Sequence, residues 1–217
     1  MGVFTELLDL MFPPRCAFCR KILKTGEHGM CKKCGKNISR TKNGGLQNGE
    51  FFSCCASPLY YEKEVRDSLL RFKFHDATAY AKLYGKLLAE CISESLSGRY
   101  DIITWVPLSP KRLKKRGYDQ AMLLAMAAAL KLDDVAVELL YKHTDVPAQS
   151  GVGSIEKRRA NISGVYSVRD EELVRGRRIL IIDDIITTGS TLSECAKTLK
   201  MFGANEVVCC TLARSRE

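Results

Sequence analysis

Ile179-Leu180-Ile181-Ile182-Asp183-Asp184-Ile185-Ile186-Thr187-Thr188-Gly189-Ser190-Thr191 joins an apolar run, two adjacent carboxylates and a glycine-centred hydroxyl loop within thirteen residues. The first four residues are apolar and mostly β-branched, the composition of a strand buried on both faces of a parallel sheet. Thr187 to Thr191 then supply small side chains, a glycine that permits close backbone approach, and hydroxyls able to donate to phosphate oxygens. Leu192, Ala196, Leu199 and Phe202 recur at helical spacing. The loop amides are therefore expected at a helix N-terminus, where unpaired N–H groups and aligned peptide dipoles favour an anion.

A Walker loop would place a lysine beside its Ser or Thr, and none stands here. Asp183 and Asp184 are acceptors only. At the carboxyl end of the strand, just ahead of the loop, they can accept hydrogen bonds from the vicinal hydroxyls of a ribose whose 5-phosphate occupies the loop. An Asp-rich turn followed by an ordinary helix cap is the alternative for the same residues. The whole stretch resembles the signature of the type I phosphoribosyltransferases, which bind phosphoribosyl pyrophosphate (PRPP).

The 217 residues suffice for one domain with a sizeable core plus a smaller module. Met1 to Phe12 mixes Val3, Phe4, Leu7, Leu8, Leu10 and Met11 with Glu6 and Asp9 and has no basic n-region. It is a poor secretory signal, too short to span a bilayer, and reads as an amphipathic helix packed on the body. A cytoplasmic protein without a membrane span is expected. In that reducing compartment ten cysteines indicate metal ligands or buried thiols rather than disulfides. The net charge of +9 favours polyanionic partners, phosphorylated substrates and nucleic acid alike.

Cys16-Ala17-Phe18-Cys19 and Cys31-Lys32-Lys33-Cys34 form two CxxC knuckles. Four thiolates can close tetrahedrally on zinc with no position open for water, which marks a structural site. An iron-sulfur cluster or unliganded buried thiols are the alternatives; His28, between the knuckles, reads as a surface residue. Lys21, Lys24, Lys32, Lys33, Lys36, Arg40 and Lys42 surround the site among few apolar residues, so the metal is expected to supply much of the folding free energy. Asn43 to Gly49 reads as a flexible linker. The division expected is 1–48 for an N-terminal helix and zinc finger and 49–217 for the main domain. Cys54 and Cys55 are either vestigial ligands or small apolar residues entering a strand.

Beyond the linker the pattern predicts a strand over Ala56 to Tyr61, helices over Val65 to Phe72 and Thr78 to Leu96, and a strand over Asp101 to Val106 that ends at Pro107. A helix over Gly117 to Leu130 and a strand over Ala136 to Tyr141 follow. Strands alternating with helices indicate an α/β fold, a parallel sheet flanked by helices that binds ligands beyond the carboxyl ends of its strands. Pro107-Leu108-Ser109 and the run Lys111 to Arg116 sit at such an end. A departing diphosphate needs positive charge, which makes Arg112 and Arg116, on one face if the segment is helical, candidate diphosphate residues, with Leu108 and Ser109 beside them at the strand end. A solvated basic run is the alternative. Thr144 to Ser163 lacks periodicity and reads as a mobile loop or a disordered connection.

The order of features resembles one family closely. Two CxxC knuckles, Leu70-Arg71-Phe72-Lys73-Phe74, Val106-Pro107-Leu108, the Arg112 to Gln120 stretch, then Gln149, Arg159 and Asn161 ahead of Gly164-Val165-Tyr166, then the Asp-Asp signature, are similar to the competence protein F family, which pairs a zinc finger with a phosphoribosyltransferase-like domain. The chain departs from it in carrying Asp119 where Asn is common, and in retaining only Cys54 and Cys55 of a second pair of knuckles, which implies one zinc. The resemblance implies PRPP bound with Mg²⁺, ribose held by Asp183 and Asp184 as the catalytic acids, the 5-phosphate in the Thr187 to Thr191 loop, and Gln149, Arg159 and Asn161 on a closing loop. A nitrogen nucleophile of unknown identity would displace diphosphate at C1. It implies a role in DNA uptake with single-stranded DNA and competence helicase-type proteins as partners; self-association is left open. A DNA-binding factor whose PRPP site is regulatory or vestigial is the alternative.

Overall fold

The computed structural model describes residues 13–74, 78–143 and 164–216. In chain order the elements are α1 (Lys32–Asn37), β1 (Cys54–Ala56), β2 (Leu59–Tyr60), α2 (Lys63–Phe74), α3 (Ala81–Ser95), β3 (Ile102–Trp105), α4 (Pro110–Arg116), α5 (Gln120–Leu132), β4 (Leu140–Lys142), β5 (Tyr166–Val168), α6 (Glu171–Val174), β6 (Arg178–Ile186), α7 (Ser190–Met201) and β7 (Glu206–Arg214).

The main sheet runs β1-β7-β6-β3 and every pairing in it is parallel. β2 continues along β7 beyond β1, with Leu59 opposite Ala213. The expected strand over Ala56 to Tyr61 is thus one path interrupted at Ser57-Pro58, since proline has no N–H for the ladder. Ala136 forms a parallel bridge to Ile103, and the expected strand from Ala136 to Tyr141 otherwise appears as β4, paired antiparallel with β5 away from the main sheet.

Side chains alternate across β6 and β7, so the sheet has a core on each face. Leu180, Ile182, Val208, Cys210 and Leu212 meet Leu69 and Phe72 of α2, Leu88 and Ile92 of α3, and Leu124 of α5. Ile179, Ile181, Val207 and Cys209 meet Leu192, Cys195, Ala196 and Leu199 of α7. Helices α3 and α5 approach so closely that a Cβ at Gly85 would stand 2.5 Å from that of Ala127.

Three expectations change with the structure. The strand predicted to stop at Ile182 continues to Ile186, because Asp183, Ile185 and Ile186 still pair with Thr211, Ala213 and Arg214. The helix expected over Gly117 to Leu130 appears as α5 and begins only at Gln120, because Gly117 turns left-handed at the C-cap of a separate helix, α4, and Asp119 caps α5. The supposed linker is pinned, since Gln47 and Cys55 exchange both backbone hydrogen bonds and the chain forms a 3-10 turn at Asn43–Gly45. No helix among the described residues is long and apolar enough to cross a membrane.

Candidate functional site

Because β6 runs through both acids, Asp183 and Asp184 point to opposite faces of the sheet. Asp183 joins Ile185 to Leu192 in lining one hollow of about 40 Å³. Asp184 turns instead to α2, where its Oδ2 lies 2.7 Å from Lys73 Nζ, with only 6% of the aspartate side chain and 19% of the lysine exposed. The two acids still communicate, since the Asp184 N–H donates to Asp183 Oδ1 at 2.8 Å. Part of Asp183 reaches solvent, yet the protein packed around it holds its pKa well above the ordinary aspartate range: burial is the main cause and the Asp184 charge adds to it. Lys73 acts in the opposite direction.

The loop after β6 turns at Gly189, whose φ of +77° is the left-handed conformation that favours glycine. Thr188 Oγ1 and Ser190 Oγ are 2.8 Å apart. No side chain caps α7, whereas Ser109, Asp119 and Asp170 cap α4, α5 and α6. The first turn of α7 thus presents hydroxyls and amides with no internal anion, beside the one acid that shares the hollow.

The second lobe follows β3. Ser109 is buried and its Oγ accepts the Arg112 N–H at 3.4 Å. The Leu108 N–H donates to Asp119 Oδ2 at 2.9 Å, and Met122 N–H to Asp119 Oδ1 at 3.1 Å. Burial raises the Asp119 pKa, those amides oppose the rise, and the Asp184 charge adds to it. Arg112 is exposed on α4, with its charge felt at Tyr166 of β5. Arg116, one turn on, sits 5.0 Å over the Phe74 ring, and its buried Nη1 has no hydrogen-bond partner among the described residues. Gln149, Arg159 and Asn161 lie outside the described residues.

At the amino-terminal end the sulfurs of Cys16, Cys19, Cys31 and Cys34 all lie within 4.8 Å of one another. Tetrahedral zinc with bonds of about 2.3 Å sets its sulfurs about 3.8 Å apart, and the Cys19 and Cys31 sulfurs are 3.7 Å apart. The Cys31 N–H points at Cys16 Sγ at 3.4 Å and the Cys34 N–H at Cys31 Sγ at 3.5 Å, donors suited to thiolates. The four residues fit a structural zinc ion. Glu27 ties the loop between the knuckles by accepting the Lys24 and Lys32 N–H groups, each at 2.8 Å. His28 is exposed and outside the cluster. Cys54 and Cys55 belong to β1 instead: Cys55 is in the core and Cys54 accepts from Arg99 at 2.9 Å.

The module is less self-sufficient than its composition suggests. Phe18, Leu23 and Ile38 join the core shared with α2 and α3. Arg71 donates to the carbonyls of Ala17 and Phe18 at 2.7 and 3.0 Å, and Ser68 to that of Ala17 at 2.5 Å.

Sequence reading left two residues of this region without a role, Lys73 and Asp119. Lys73 stands four residues after Leu69 on the buried stripe of α2, and a lysine there needs a partner. That position was the available signal. Asp119 caps α5 while fastening Leu108, a tie between two segments eleven residues apart that no local pattern announces.

A parallel α/β sheet with a hydroxyl loop after its central strand, preceded by four clustered thiols, defines a phosphoribosyltransferase-like protein with a zinc-ribbon module. Residues 113–217 match the family model for a phosphoribosyl transferase domain and residues 7–67 that for a double zinc ribbon domain. Competence protein F of Haemophilus influenzae is 28% identical over 223 residues, 93% of this chain and 97% of that protein. DNA utilization protein YhgH of Escherichia coli O157:H7 is 29% identical over 230 residues, covering 95% and 99%. Competence protein ComFC of Streptococcus pneumoniae is 26% identical over 199 residues, covering 90% and 80%. The chain belongs to the ComF/ComFC family.

Proposed function

We propose that the chain binds PRPP at the end of β6 and works in the handling of DNA taken up by the cell. The observation that carries the first half is the single hollow shared by Asp183 and the Thr187 to Thr191 loop. A 5-phosphate in the loop sets the attached ribose beside Asp183, whose carboxylate accepts from its hydroxyls. Asp184, held by Lys73, contributes charge and its N–H rather than direct contact. Arg112 and Arg116 face the diphosphate from α4, with Ser109 and the Leu108 backbone shaping the turn beneath. Mg²⁺ would travel with PRPP, whose oxygens suit a hard cation; with Asp184 engaged by Lys73, the acids do not form a cage that would hold the ion alone.

Positive charge developing at C1 would be stabilised by Asp183 and, at longer range, by Asp184, so that a nitrogen acceptor can displace diphosphate without a protein nucleophile. The chemistry available is positioning and electrostatics. We assign residues 1–48 to the metal module and 49–217 to the PRPP domain, with Gln149, Arg159 and Asn161 on a loop that closes over it in the cytoplasm.

The second half draws on the names of the relatives, competence and DNA utilization proteins, and on the exposure of Lys21, Lys24, Lys32, Lys33, Lys36, Arg40 and Lys42 around the metal module. Such a surface neutralises phosphates of single-stranded DNA without reading sequence. Isothermal titration of PRPP with Mg²⁺ into wild-type and Asp183→Asn protein tests the pocket; equal heats from both refute it. Screening amines for PRPP-dependent diphosphate release tests transfer. DNA binding with no salt slope, unmoved by charge reversal of the module lysines, removes the nucleic-acid surface.

A further inference from the structure

We infer that helix α2 couples the four-cysteine cluster to the sugar-phosphate pocket, with Lys73 as the positioning residue at the pocket end. The inference rests on the PRPP reading of that pocket. Two anchors on α2, two residues apart, connect structures that share no ligand. Arg71 and Ser68 grip the carbonyls of Ala17 and Phe18, the two residues enclosed by the first CxxC knuckle. Lys73 grips Asp184, whose N–H in turn donates to Asp183 Oδ1 in the pocket.

The segment between the anchors has little freedom. Phe72 is fully buried, meets Tyr84 edge to face with centroids 5.3 Å apart, and accepts the Tyr118 hydroxyl on its carbonyl. Tyr84 also hydrogen-bonds Ser68 and meets the Phe18 ring inside the knuckle at a tilt, with centroids 6.3 Å apart. A displacement at one anchor cannot be absorbed by a loose turn and must move the helix end as a unit.

Each anchor depends on geometry that a ligand fixes. Closing four thiolates on zinc sets the direction in which Ala17 and Phe18 present their carbonyls. If the knuckle opens, Arg71 loses the acceptors it uses; its Nε is already buried with no hydrogen-bond partner among the described residues, so an uncompensated buried cation would displace the end of α2. Lys73 would then leave Asp184, a buried carboxylate adjacent to Asp183, uncompensated beside the ribose. Coupling free energies act equally in both directions. PRPP, by fixing Asp183 and through it Asp184 and Lys73, must therefore steady the knuckle.

The test is the rate at which zinc-loaded protein yields its metal to a chromogenic chelator, with and without saturating PRPP and Mg²⁺, with PRPP affinity measured in parallel by calorimetry. Wild-type protein should release zinc roughly fivefold more slowly with PRPP, and inorganic diphosphate with Mg²⁺ should not reproduce the effect. Arg71→Met should bind PRPP yet show no slowing. Lys73→Met should lose about tenfold in PRPP affinity along with the slowing, and Lys73→Arg should recover most of both. If Arg71→Met fails to fold, the Lys73 pair decides alone. Wild-type protein that binds PRPP but releases zinc at an unchanged rate overturns the coupling and leaves the pocket reading intact. Protection that survives in Lys73→Met overturns it as well. Absence of PRPP binding to wild-type protein brings down the pocket reading and the coupling together.

Discussion

The β6-β7 pair and the four-cysteine module are held together by different physics. In β6 and β7 the residues Ile179 to Ile182 and Val207 to Cys210 have no exposed surface, and their stability comes from apolar area removed from water on both faces. Among its described residues the module has one six-residue α-helix, Glu27 stapling its loop, and three buried apolar anchors besides the thiols and Ala17. Its apolar anchors among the described residues are few, and its four thiols are placed to hold a metal. A distributed core loses a fraction of its stability with each substitution; a chelate site can lose nearly all of it with one.

The largest effect should follow from removing a single zinc ligand. Cys16→Ser, or exhaustive chelation of the wild-type protein, withdraws a binding free energy on the order of 10 kcal/mol from the module. Hydrogen exchange across residues 13–42 should become fast while β6 and β7 stay protected. Uniform loss of protection along the chain would mean that the two regions fold as one unit. Leu180→Ala makes the reciprocal cut. It empties space in the core facing α2 and α3 and should cost about 2–5 kcal/mol in denaturant titrations, with zinc stoichiometry unchanged.

The same contrast decides what was legible in the sequence. The cysteine spacing and the β-branched run announce a chelate site and a buried strand because each is a local pattern. Local pattern ends β6 at Ile182 for the same reason: a pair of aspartates looks like a turn, and only the presence of Thr211 to Arg214 alongside keeps the chain extended to Ile186. That extension separates the two acids onto opposite faces, a result no local reading provides. Lys73 meets Asp184 across 111 positions of sequence, and Arg71 meets the knuckle across more than fifty, so both ties are products of the fold. The metal module seemed isolated because Phe18, Leu23 and Ile38 are too sparse to form a core alone; they complete one that α2 and α3 supply.

Asp183 sharpens the comparison from the pocket side, because fold and ligand make opposite demands on it. Its pKa in the folded chain lies above the unfolded value of about 3.9, so the folded state holds that proton more tightly. Its contribution to stability is therefore greatest at low pH and is lost as pH rises through the folded pKa. PRPP binding needs the ionised carboxylate and should strengthen over that same rise. Asp183→Asn should leave the fold as stable or more stable at neutral pH, flatten both profiles, and lower PRPP affinity by roughly tenfold to a hundredfold, the worth of a hydrogen bond to a charged group. Calorimetry and melting curves across pH separate the two trends. Parallel trends would mean that Asp183 serves the fold and not the ligand.

Gly189→Ala gives the smallest effect and the narrowest discrimination. A Cβ there would sit 3.5 Å from Ile186 Cδ1 and 3.6 Å from Phe52 Cζ, ordinary contacts that demand no displacement. The cost arises from φ = +77°, where an L-residue is disfavoured by about 1–2 kcal/mol. The chain can meet that strain by keeping the turn and melting earlier, or by relaxing the turn and moving the Thr188 and Ser190 hydroxyls off their 2.8 Å contact. The core beneath, with Leu192 and Cys195 buried, favours keeping the turn. A lowered melting temperature with nearly unchanged PRPP affinity is expected, because a turn that is kept leaves the Thr188 and Ser190 hydroxyls where they are. Weakened PRPP binding without loss of stability would show instead that the loop holds its shape for the phosphate alone and draws none of it from the core.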